Sequence, residues 1–219
     1  FDRLKMTVGN KALARRDEPR LLGDVILEDA KRVETVRMAA GPEVELFIDA
    51  NCSLDLYHAR QLCQMIEPFR IEFFEEPVTQ NDVRQLSELR SQTTIRLACG
   101  QNEGQAYRFR DMMIAGAVDI IQPNVAITGG FTQCQKIAAL ANSFNISVDN
   151  GGAWPFFNQH LQAGLSNGGL VEYHYSSVEV CKRLYIGLPE PKQGWLTMTD
   201  APGLGFELNT AALPHFEID

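Results

Sequence analysis

Ile48-Asp49-Ala50-Asn51, Phe74-Glu75-Glu76-Pro77 and Cys99-Gly100-Gln101-Asn102-Glu103 are three versions of one local pattern. Each closes a short apolar run: Val44 to Ile48, Ile71 to Phe74, and Ile95 to Cys99. Asp49, Glu75 and Gln101 follow one another at intervals of 26 residues. A strand, a helix and two loops take about that length, so the same position is marked at three successive strand ends. In a parallel barrel those ends open on one mouth, where catalytic groups collect. Two carboxylates and a third oxygen donor converging there suit a hard divalent cation such as Mg2+.

The rest of the chain repeats the unit. Strands are expected over 1–8, 44–49, 71–75, 94–99, 119–122, 146–148 and 170–173. Helices are expected over 24–40, 54–66, 81–91, 105–115, 131–143 and 155–165. Ser53 is a candidate N-cap for the second helix, and Pro155 suits the first turn of the last one. Lys11 to Gly23 is polar and reads as a loop at the mouth. The stretch after Tyr173 reads as loop-rich, through Gly194-Trp195 and Pro202-Gly203-Leu204-Gly205. Alternation of this kind implies the α/β class with a parallel sheet, a TIM-type (β/α) barrel. Seven strands are one short of eight, so the chain is expected to lack the first strand and to be a fragment of a longer protein. Residues 1–219 read as a single barrel domain, with no linker or low-complexity segment.

Composition narrows the partners. A net charge of −8 argues against nucleic acid and against an anionic membrane. No apolar run approaches the roughly 20 residues needed to span a bilayer. Five cysteines without CxxC spacing read as reduced thiols and a cytoplasmic location. The expected partners are a small-molecule carboxylate substrate and further copies of the chain in a homo-oligomer.

In their order and spacing, the motifs resemble the enolase superfamily, and within it the mandelate racemase and muconate lactonizing enzyme branch. Those motifs are Leu4-Lys5-Met6-Thr7-Val8-Gly9, Ile48-Asp49-Ala50-Asn51, Phe74-Glu75-Glu76-Pro77-Val78, Gly100-Gln101-Asn102-Glu103, Asp119-Ile120-Ile121-Gln122-Pro123-Asn124, Thr128-Gly129-Gly130 and Pro202-Gly203-Leu204-Gly205-Phe206-Glu207-Leu208. The resemblance implies an N-terminal capping domain, absent from 1–219, and an enzyme that uses Mg2+ to remove the proton α to a carboxylate. Such a proton is weakly acidic, so the developing dianion needs a cation beside it, and a base must sit beside the carbon.

Carried over residue by residue, the resemblance makes Asp49 and Glu75 metal ligands. The third ligand departs from the family pattern: Gln101 stands where a glutamate is usual, with Glu103 as the alternative. Lys5 matches the first lysine of the family's Lys-x-Lys, and Thr7 replaces the second, the usual base. Asn124 stands where relatives place a lysine or an aspartate, and Gly151 falls near the position of a family histidine. The candidate catalytic residues are therefore Lys5, Asp149, Glu172 and His174. Asn51, Asn124, Asn150 and Trp154 are candidates for binding substrate, and His160 reads as structural. The eroded set of bases fits dehydration of an acid sugar or other hydroxy acid. The alternatives are a racemase or epimerase, and a relative that has lost catalysis and keeps a binding or structural role.

Overall fold

The computed structural model describes residues 2–9 and 20–216. The chain divides into two compact units: Phe1–Gly100 with Phe109–Ile121, and Gln101–Arg108 with Gln122–Asp219.

The first unit is built on five parallel strands paired in chain order: β1 (Arg3–Thr7), β2 (Glu45–Asp49), β3 (Ile71–Glu75), β4 (Arg96–Cys99) and β5 (Ile120–Ile121). The helices α1 (Leu22–Ala40), α2 (Leu56–Ile66), α3 (Val83–Arg90) and α4 (Ala106–Ile114), the last belonging to this unit from Phe109 on, lie between them in the chain. Leu46, Phe47 and Ile48 are all buried although successive side chains point to opposite faces. A strand covered on both sides belongs to a parallel sheet with helical layers, as the α/β reading requires. Each fully buried Leu, Ile or Phe contributes about 1.5–3 kcal/mol, and Phe74, Leu97 and Ile48 are all fully buried.

Two local expectations change, and α1 buries charged residues beside apolar ones. The second helix starts at Leu56, because Asp55 is its N-cap and accepts from His58 N, while Leu54 bridges to Val78 in extended form. Ser53 therefore lies outside the helix. The buried stripe of α1 is Val25, Ile26, Asp29, Val33 and Arg37, with Leu27 exposed. Two charged residues enter that stripe because backbone groups receive them: Asp29 Oδ2 accepts from Gly9 N at 2.6 Å. Arg37 donates to the carbonyls of Gly41, Val44, Phe69 and Arg70. The loop expected over Lys11 to Gly23 lies mostly outside the described residues, and its described end is already helical from Leu22.

The second unit contains α5 (Gly130–Ser143), β6 (Ser147–Val148), α6 (Pro155–Ala163), α7 (Tyr175–Leu184) and an antiparallel pair, β7 (Tyr185–Ile186) with β8 (Glu207–Leu208). The strand expected over 170–173 does not form. Val148 bridges Gly168, and Val148 N donates to Asn167 O. Beyond that point backbone and side-chain bonds alternate: Asn150 N donates to Leu170 O at 2.8 Å, while Asp149 Oδ1 accepts from Leu170 N at 2.8 Å and Asn150 Oδ1 from Glu172 N at 3.1 Å. The segment is tied down by carboxylate and amide groups as well as by a backbone carbonyl. The loop-rich expectation for the remainder is corrected by α7, which His174 caps and which buries Val178 and Cys181. Lys182 and Arg183 in its last turn suit the negative end of the helix dipole. Among the described residues no helix is long and apolar enough to cross a membrane.

Candidate functional site

Strand register puts three functional groups of the first unit together. Thr7 pairs with Asp49, and Asp49 pairs with Glu75, so the ends of β1, β2 and β3 lie level. Lys5 starts two residues lower, opposite Phe47. Its Nζ lies 2.6 Å from Glu75 Oε2 and 3.5 Å from Asp49 Oδ2. The side chain of Glu75 is 0% exposed and that of Asp49 only 7%. Burying two carboxylates side by side costs several kcal/mol unless positive charge faces them, and Lys5 supplies that charge.

The turn after β2 aims Asp49. Asn51 and Cys52 are left-handed, with φ of 47° and 56°, a conformation that asparagine tolerates better than most residues. This turn brings Asn51 N within 2.8 Å of Asp49 Oδ1. Asn51 thus does not continue an extended segment, and its own side chain is exposed. Glu76 is fully buried and accepts from Asn81 Nδ2 at 2.9 Å. Burial first, then the Glu76 charge, pushes the Cys52 and Cys99 thiols up, so neither is a thiolate nucleophile.

In the second unit Gln101 is buried, 6% exposed, and packs against Gly152; a Cβ at Gly152 would come within 3.2 Å of Gln101 Cβ. The Glu103 carboxylate pairs with Arg108, with Nε 2.9 Å from Oε2. Gly152, Ala153 and Trp154 are consecutive left-handed residues, with φ of 72°, 66° and 59°. For the two that are not glycine this costs about 1–2 kcal/mol each.

Amides offset that strain. Asn124, fully buried, directs Nδ2 at the carbonyls of Gly151, Gly152 and Ala153, at 2.8, 2.9 and 3.1 Å. Its Oδ1 accepts from Ala126 N and from Asn158 Nδ2. Asn150 Nδ2 also donates to Gly151 O, and Glu172 Oε2 accepts from Ala153 N at 2.8 Å. Asn124, Asn150 and Glu172 thus surround one loop, with Asp149 anchored beside them on Leu170 N. Trp154 packs on the cluster of Phe156, Val178 and Cys181 and meets Phe157 edge to face. His174 is exposed and caps α7, with Nδ1 accepting from Ser177 N. His160 Nε2 contacts Leu204 O, a packing role. Asn158 escaped the sequence reading: an asparagine inside a helix carries no motif, and only the fold brings it to Asn124.

The two carboxylates of the first unit fit a hard divalent cation. Among the described residues no three His, Cys, Asp or Glu side chains gather as a ligand set. The position of the Lys5 ammonium marks the carboxylate pair as a place that holds positive charge.

Residues 1–212 match the family model described as enolase C-terminal domain-like. The chain belongs to this family. It is 29% identical over 209 residues to the D-galactarolactone cycloisomerase of Agrobacterium fabrum, covering 90% of this chain and 55% of that relative. A solved mandelate racemase/muconate lactonizing enzyme from a marine actinobacterium superposes with a TM-score of 0.80 at 31% identity, over 94% of this chain and 55% of the other. The L-talarate dehydratase of Polaromonas sp. JS666, solved with Mg and L-glucarate, gives a TM-score of 0.84 at 27% identity, covering 98% and 55%. The fold is thus that of the enolase-superfamily (β/α) barrels, and the chain spans about half the length of the relatives it matches.

Proposed function

We propose that this chain belongs to a Mg2+-dependent enzyme that removes the proton α to a carboxylate, and that its reaction is dehydration of an acid sugar or similar hydroxy acid. The observation that carries this reading is the Asp49–Glu75 pair, buried and level at adjacent strand ends with an ammonium across it. Asp49 and Glu75 would hold the ion; for the third oxygen the family resemblance offers Gln101, with Glu103 as the alternative. When bound, the ion supplies positive charge beside the substrate carboxylate, where negative charge develops.

The chain's own groups supply the rest. Asn51 N holds the Asp49 carboxylate in one orientation. Lys5 presents an ammonium suited to a substrate carboxylate. The family resemblance offers Glu172 as the acid that hydrogen-bonds the substrate carboxylate, and His174, two residues on, is the second candidate acid or base. Ala153 N orients the Glu172 carboxyl through Oε2. In His174, Nδ1 serves the α7 cap, which leaves Nε2 as the nitrogen that carries a proton in the neutral ring. Dehydration needs one base and one acid, whereas racemisation needs a base on each face of the carbon. The Asp149 Oδ1 atom and both ends of the Asn124 and Asn150 amides are engaged by the fold.

Those same engagements favour the second reading, a relative that binds carboxylates without turning them over. The deciding experiment incubates the full-length protein with Mg2+, in deuterium oxide, with a panel of aldonic and aldaric acids. A keto-acid product that carries solvent deuterium at the β-carbon, where the hydroxyl left, supports dehydration, because the α-carbon itself becomes the carbonyl. Uptake at the α-carbon with inversion and no keto acid supports racemisation. Neither, in a protein whose melting temperature rises with Mg2+ and a sugar acid, supports binding alone.

A further inference from the structure

The first unit carries its own cation at the place assigned to the metal. Lys5 is paired with Phe47, not with Asp49. Its side chain must therefore climb about 6–7 Å along the strand direction to reach the carboxylates, and it does, with Nζ at 2.6 Å from Glu75 and 3.5 Å from Asp49. A solvated surface lysine would not adopt that course, and this side chain is only 19% exposed. The two oxygens it meets belong to the carboxylates that would ligate Mg2+. A unit charge and a doubly charged ion at contact distance repel twice as strongly as two unit charges do, so the two compete for one carboxylate pair.

We propose that Lys5 is a displaceable counter-ion. Its ammonium neutralises the Asp49–Glu75 pair in the metal-free protein, and a divalent cation expels it. The proposal rests on the Mg2+ reading of these two carboxylates and adds a competition to it. In the metal-free protein the carboxylates stay buried and level instead of repelling each other. The ion binds more weakly than the same carboxylates would hold it without the lysine. The expelled ammonium then faces any anionic ligand, so cation and anion reinforce each other's binding, and by linkage they do so equally.

Calorimetric titration of the wild type and Lys5→Met with MgCl2, repeated with MnCl2, tests the idea; methionine keeps an unbranched stem and removes the charge. Lys5→Met should bind the ion more tightly, on the order of tenfold, and should melt at a lower temperature without metal. Equal or weaker binding by folded Lys5→Met overturns the proposal and leaves the metal site standing. No uptake by either protein overturns both. If Lys5→Met does not fold, the wild type alone decides: acetylation of Lys5, located by peptide mass, should accelerate when Mg2+ is added. An unchanged or slower rate overturns the proposal.

Discussion

The strand ends of the two units solve the same problem, polar groups that must be buried, with different chemistry. In the first unit charge faces charge: Lys5 against Asp49 and Glu75. In the second unit amides face backbone: Asn124, Asn150 and Asn158 hold the turn through Gly151, Gly152 and Ala153. The ionic group is exchangeable, because another cation satisfies the same carboxylates. The amide clamp is not, because each carbonyl needs an N–H at a fixed place and the turn it holds is left-handed. One arrangement is suited to bind, the other to keep a shape.

The contrast breaks most severely at Asn124. Asn124→Leu keeps approximate volume but strips donors from three carbonyls and the acceptor from Ala126 N and Asn158 Nδ2. Buried groups left unsatisfied cost about 1–3 kcal/mol each before relaxation, so a net loss of about 3–5 kcal/mol is expected in urea unfolding. A loss under about 1 kcal/mol would show that the loop finds other donors and needs no clamp.

Glu75→Gln tests the ionic side with a smaller effect on the fold. It preserves shape and removes one ligand charge. Mg2+ affinity by calorimetry should fall on the order of a hundredfold, while the metal-free protein loses less stability than Asn124→Leu does. Undiminished affinity would place the metal elsewhere.

The smallest effect is common to both units. Burial alone pushes the Cys134 thiol of the second unit up to about 11 from 9.0, and burial leads the rise of Cys63 in the first, also to about 11. The folded values lie above the unfolded one, so this contribution is intact below pH 9.0 and is lost as pH rises toward about 11. Melting temperature followed from pH 7 to 11 should decline more steeply above 9 in the wild type than in a Cys63→Ala, Cys134→Ala variant. Parallel curves would mean that the thiols play no part.

Much of the site could be read without coordinates. Asp49 and Glu75 announce themselves by their repeat at the ends of apolar runs, and the parallel register sets them level as a period of that length demands. The course of Lys5 could not be read, because a strand pattern fixes the face of a side chain but not how far a long flexible stem climbs. Periodicity alone does not place Asp29 and Arg37 in the buried stripe of α1, since it scores charged residues as outward. These two point inward only because Gly9 N and four turn carbonyls await them. Leu170 to Tyr173 looked like a strand for a related reason: its apolar content was legible, but not the replacement of some ladder bonds by Asp149 and Asn150.

By itself the sequence determined the alternation of strands and helices, the superfamily, and the residue types at each strand end, because apolar periodicity and motif spacing are local properties of the chain. The tertiary structure decided what those residues face. Hydrogen bonds and ion pairs depend on partners far away in the chain, 70 residues for Lys5 and Glu75, 34 for Asn124 and Asn158. Two asparagines that looked available to a substrate proved to be fasteners of the backbone, and a lone lysine proved to be the cation of a carboxylate pair.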